Sequence, residues 1–133
     1  MKKMFLFLTT LCLLSSCSNN ENENIETSQL EGKWQLIEQL VDPGDGSGTF
    51  RIIESNKTLD FKSDKTISTN ESLCDPYSTE LINVGVYSTD SRTITTNCQD
   101  SNIAEIEFEL KNGYLILNFI SNEGFSQKFQ KLD

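Results

Sequence analysis

The stretch Ala104-Glu105-Ile106-Glu107-Phe108-Glu109-Leu110-Lys111-Asn112-Gly113-Tyr114-Leu115-Ile116-Leu117-Asn118-Phe119-Ile120 decides the fold. Ala104, Ile106, Phe108 and Leu110 alternate with Glu105, Glu107 and Glu109, the period of a half-buried strand. Asn112-Gly113 then supplies a type I′ turn, whose two central residues need positive φ. A two-residue turn also sets the register. Leu110 faces Leu115, Phe108 faces Leu117 and Ile106 faces Phe119 on a wholly apolar side, while the glutamates oppose Ile116, Asn118 and Ile120 on the other.

Outside this hairpin the pattern is again strands and turns. A turn at Asn122-Glu123-Gly124 leads into a strand from Phe125 to Leu132. Upstream, Lys33–Val41, Thr58–Lys62, Thr66–Asn70, Ile82–Ser88 and Arg92–Thr96 read as strands, and Thr49–Ile53 as a short extended piece. No window sustains a helical period for three turns. Eight antiparallel strands with short connections predict an all-β, up-and-down barrel over residues 30–133, because closure removes exposed sheet edges; a two-sheet sandwich is the alternative. Leu36, Leu59, Phe61, Val84, Val86, Ile106, Phe108, Leu117, Phe119 and Phe129 are expected to face inward. Glu38 and Gln127 share the parity of Trp34-Leu36 and Phe125-Phe129, so with Phe108 and Phe119 they are the candidate ligand-binding residues.

Alternating strand direction sorts the connections. Ser63-Asp64-Lys65, Thr89–Ser91 and Asn112-Gly113, the tight turns, fall at one end. The other end collects the glycine-rich loop Asp42-Pro43-Gly44-Asp45-Gly46-Ser47-Gly48, the loops holding Cys74 and Cys98, and the Asn122 turn.

Gly32-Lys33-Trp34 at the head of the first strand, before a long first loop and seven further strands, resembles the Gly-x-Trp signature of lipocalins and related calycin barrels. The resemblance extends over residues 30–133, to lipocalin-like domains of bacterial lipoproteins. It implies that Trp34 packs across the closed end of the barrel beneath a basic residue of the last strand, Lys128 or Lys131, in a cation–π contact. It implies a small-ligand site at the open end, in a barrel shorter than most of that family.

The beginning of the chain sets the expected address. Lys2-Lys3 and the apolar run Met4–Leu14 match the basic and hydrophobic regions of a secretory signal, and the run falls short of the ~20 residues that span a bilayer. Leu14-Ser15-Ser16-Cys17 resembles the lipobox of bacterial lipoproteins, which implies a leader over 1–16, cleavage before Cys17, acylation of its thiol and an anchor in the cell envelope, most simply the outer membrane. Residues 17–29, with Ile25 their lone aliphatic side chain, are expected to form a flexible tether.

With Cys12 in the leader and Cys17 lipidated, Cys74 and Cys98 are left to an exported chain, so a disulfide between them is expected. Net charge is −9, before loss of two lysines with the leader. That balance disfavours nucleic acid. The chain has no histidine and no Gly-x-Ser-x-Gly elbow, so the parts of nucleophilic catalysis and of a zinc site are missing. The Asp42–Gly48 loop lacks the ligand order of an EF-hand. The expectation is a binding protein without enzymatic activity, cofactor or metal, holding a small, mostly apolar molecule. A protein-interaction module serving another envelope protein is the alternative, with a patch about Ile116 and Ile120 or on the glycine-rich loop.

Overall fold

The computed structural model describes residues 25–74, 78–99, 105–119 and 123–133. A single turn of helix, α1 (Thr27–Leu30), precedes nine strands: β1 (Gly32–Val41), β2 (Arg51–Ile52), β3 (Thr58–Phe61), β4 (Thr66–Thr69), β5 (Val84–Ser88), β6 (Thr93–Thr96), β7 (Glu105–Lys111), β8 (Tyr114–Phe119) and β9 (Phe125–Lys131). Strands β1 and β3–β9 form a closed, antiparallel, up-and-down barrel of eight, sealed by pairing of β1 with β9. The short β2 is an addition. It continues the flank of β1 beyond the end of β3, pairing Glu38 with Ile52 and Gln39 with Arg51.

The β7–β8 hairpin has the register set by its turn: Ile106 pairs with Phe119, Phe108 with Leu117, Leu110 with Leu115. Asn112 and Gly113 both have positive φ, 52° and 80°. Buried apolar side chains from every long strand meet inside, among them Leu36, Leu59, Phe61, Ile67, Ile94, Ile106, Phe108, Leu117 and Phe129. Phe61 lies edge-on to both Tyr87 and Phe108, with ring centroids 5.0 and 6.2 Å away, the offset arrangement that aromatic quadrupoles favour.

Four expectations are corrected. Val84 and Val86 point outward, 57% and 54% exposed. The inward positions of β5 are Gly85 and Tyr87. Gly85 makes room for a loop residue, since a Cβ there would meet Ile67 Cγ2 and Leu73 Cδ1 at 3.3 Å and the Thr95 carbonyl at 2.9 Å. Leu73 therefore fills the interior that a valine was expected to fill, and Tyr87 takes the next position because its hydroxyl donates to the Lys62 carbonyl at 2.7 Å.

Glu38 is not inside. A register shift between Leu36 and Glu38 inserts a residue into β1, so side chains beyond the bulge change face. Glu38 stands on the outer wall opposite Lys128, whose Nζ lies 3.1 Å from its carboxylate. Lys128 also sits over the rings of Tyr114 at 4.6 Å and Phe50 at 5.7 Å, so the first loop folds back on this wall. Ile116, paired with Lys128, is buried here and forms no exposed patch; Ile120 lies outside the described residues.

The ordered domain begins before Leu30. Ile25 packs against the core, and Glu26 with Gln29 forms a capping box that starts α1. Ile25 and the fully buried Leu30 supply the apolar contact that this polar segment otherwise lacks.

Candidate functional site

The barrel has two differently built ends. At the closed end, Trp34 is buried and its indole N–H donates to the Leu30 carbonyl at 2.8 Å. Lys131, rather than Lys128, takes the basic position, its Nζ 5.4 Å from the Trp34 ring centre and 2.9 Å from the Gln29 carbonyl. Gly32, at φ 111°, adopts a backbone geometry that side-chain-bearing residues rarely accept. Lys65 reaches across from the β3–β4 turn to the Thr27 hydroxyl.

The mouth is organised by Asp42. Its carboxylate accepts the amides of Gly44 at 2.7 Å, Gly46 at 3.0 Å and Gly48 at 2.6 Å, while its own amide donates to the Gly124 carbonyl at 2.6 Å. The loop is wound around one anion. Those amides, Gly48 first, hold the Asp42 carboxyl below the usual carboxylate range. Gly48 is required sterically, because a Cβ there would lie 2.8 Å from Asp42, and a Cβ at Gly124 would crowd Asp42 Cβ at 3.0 Å. Both Asp42 oxygens are thus engaged by amides, and among the described residues no three His, Cys, Asp or Glu side chains converge as metal ligands.

Below the rim lies Lys57, 5% exposed. Its Nζ donates to the Ser72 carbonyl at 2.8 Å and to Gln127 Oε1 at 3.0 Å. Burial pushes the ammonium down to about 8, and Glu71 partly opposes that shift. Lys57 ties the loop carrying Leu73 and Cys74 to β9. The same loop is fastened again by the disulfide Cys74–Cys98, with Cα atoms 5.8 Å apart.

Between the first loop and the β1–β2 lip is a cleft of about 420 Å³, lined by Gln39, Val41, Pro43, Ser47, Gly48, Thr49, Arg51 and Ile53. Gln39 and Val41 reach it because the bulge turns that half of β1 inward, where they pair with Gln127 and Phe125. Arg51 is exposed there beside apolar Val41, Pro43 and Ile53, so the cleft offers a hydrophobic wall with one cation, one amide and the hydroxyls of Ser47 and Thr49.

None of the four candidate ligand residues lines this cleft. Phe108 is deep against Phe61, Phe119 packs on Phe125 with centroids 5.3 Å apart, Gln127 is bonded to Lys57, and Glu38 is on the outer wall. Cys17 lies outside the described residues. Two residues that organise the mouth were missed but carried signals. Lys57 shares the parity of Leu59 and Phe61, and Asp42 is followed by glycine at alternate positions 44, 46 and 48. Leu73 and Arg51 carried none.

These features define the class: a closed, antiparallel, up-and-down β-barrel with one plugged end and one disulfide-braced mouth. Comparison with protein-family models, with curated proteins and with solved structures finds no match.

Proposed function

We propose that the chain is an exported, lipocalin-like lipoprotein, anchored in the cell envelope through Cys17 and most simply in the outer membrane, which binds a small molecule at the mouth of its barrel and catalyses no reaction. The cleft carries this reading. Its volume of about 420 Å³ lies in the range of small-molecule sites, about 300–1,000 Å³, and its lining sets apolar Val41, Pro43 and Ile53 beside polar Gln39, Ser47, Thr49 and Arg51. The barrel below is occupied by its own side chains, so the ligand rests on the filled core rather than inside it. Trp34 beneath Lys131 supports the lipocalin-like assignment, and Cys74–Cys98 supports export, since such bonds persist in oxidising compartments.

Native mass spectrometry of the purified protein, beside a Thr49→Trp variant that fills the cleft, tests the reading. A co-purifying small molecule that disappears in the variant supports it. An empty protein, or a bound mass unaffected by Thr49→Trp, sinks it. A second reading, docking of another envelope protein, has its own observation: Leu81 before β5, and Val84 and Val86 on it, expose 85%, 57% and 54% of their surface. Under that reading the partner is lost on Val84→Lys and Val86→Lys while the cleft variant retains it.

A further inference from the structure

The structure assigns a direction to the barrel: its closed end is the face that meets the membrane, and its mouth opens to the aqueous side. This rests on the proposed lipid anchor at Cys17 and goes beyond it, since an anchor alone leaves the domain free to lie either way.

The first support is where the chain is held before it leaves the barrel. Ile25 packs on the core, Lys65 bonds Thr27, Lys131 bonds the Gln29 carbonyl, and Trp34 bonds the Leu30 carbonyl. The three hydrogen bonds, from Lys65, Lys131 and Trp34, are at the closed end. They fix the exit of the polypeptide beside the Ser63 and Asn112 turns and opposite the cleft.

The second support is reach. Residues 18–24 separate Cys17 from Ile25, eight residue steps that span at most about 29 Å whatever their conformation. Strand β1 runs from Gly32 at the closed end to Val41 at the mouth. At ~3.3 Å per residue and a tilt of ~40°, a wall of that length stands roughly 25 Å tall. Pressing the mouth to the bilayer would therefore spend most of that length on a chain stretched along the wall. Closed-end contact demands none.

The third support is the distribution of charge. Lys33, Lys62, Lys65, Arg92, Lys111 and Lys131 all belong to the closed end, where nearby acids such as Glu31, Asp60, Asp64 and Asp90 leave the balance close to neutral. The mouth carries Asp42, Asp45, Glu71, Glu80 and Glu123 against the exposed Arg51 and the buried Lys57. An anionic leaflet repels the mouth within a Debye length of about 8–10 Å and tolerates the other end, whose lysines can reach headgroup phosphates. The ligand of the cleft is accordingly a water-borne solute, taken up from the side away from the lipid.

The test uses the full lipidated chain in vesicles of phosphatidylethanolamine and phosphatidylglycerol doped with a spin-labelled lipid. Cys17 is acylated and Cys74 is bonded to Cys98, so one added cysteine can be labelled uniquely with an environment-sensitive fluorophore. Ser63→Cys reports the closed end and Ser47→Cys the mouth, both at exposed serines. Lipid-borne quenching is expected to be several-fold stronger at position 63 than at position 47. Inserting about twenty Gly/Ser residues after Glu23 should shrink that difference. Equal or reversed quenching in the original chain overturns the orientation. Cys17→Ser separates the two readings: loss of vesicle binding shows that the anchor stands whatever the labels report, and retained binding overturns anchor and orientation together.

Discussion

The closed end and the mouth of this barrel are both ordered, but by different forces. Beneath the closed end, Leu30 and Trp34 are buried apolar groups whose few polar atoms are bonded to backbone. At the mouth, the loops are held by a carboxylate among amides, a buried ammonium and a disulfide. Hydrophobic burial is non-directional and spreads over a face, whereas the mouth depends on a few specific groups. The closed end should therefore respond to loss of volume, and the mouth to pH, reduction and single polar substitutions.

Trp34→Ala should give the largest effect, a loss of about 3–5 kcal/mol, because a large buried ring leaves a cavity that the barrel cannot collapse. Urea unfolding would measure it, and a loss under about 1 kcal/mol would show that the closed end is not the core's keystone. Replacing Cys74 and Cys98 by serine should cost roughly 3–4 kcal/mol in the chain-entropy model, with the damage concentrated in the rim. Hydrogen exchange that rises equally at the closed end would erase the contrast between the two ends.

Lys57 sharpens the comparison through pH. Its folded value of about 8 lies below the ordinary 10.5, so between those values the unfolded chain binds more protons and stability rises with pH. The rise should approach about 3 kcal/mol across the window and vanish in Lys57→Met. Urea midpoints that climb equally in both proteins would assign the effect elsewhere. Asp42→Asn should have the smallest global effect. Its depressed carboxyl contributes above the unfolded value and loses that contribution as pH falls through the folded one, so the Gly44, Gly46 and Gly48 amides should exchange faster in acid and in the variant at neutral pH. Unchanged protection of those amides would show that the loop is held by something other than Asp42.

Much of the barrel was legible because β-strands write their geometry locally. Alternation in Ala104–Leu110 and the Asn112-Gly113 turn together set a register that the fold reproduces at every described pair from Ile106–Phe119 to Leu110–Leu115. The side chains of the mouth were less legible, since facing depends on single-residue insertions. The bulge after Leu36 moves Glu38 outward and Gln39 inward, and an alternation rule applied across it must reverse. Val84 and Val86 fail for another reason: their strand yields its interior positions to Gly85, Leu73 and Tyr87, and Leu73 arrives from a loop.

By itself the sequence determined the all-β class, the up-and-down order, the register of the β7–β8 hairpin and the shared end of Cys74 and Cys98, because each follows from local periodicity, turn chemistry or strand parity, while the place of Trp34 was implied by the resemblance of Gly32-Lys33-Trp34 to the lipocalin signature. Only the tertiary structure decided which lysine covers Trp34, which residues line the cleft, that Asp42 gathers the glycine amides, that Lys57 is buried, and how the charges divide between the two ends. Those outcomes depend on contacts between segments far apart in the chain, such as Lys57 with Gln127 or Lys131 with Gln29, and local sequence pattern carries no record of which distant groups will meet.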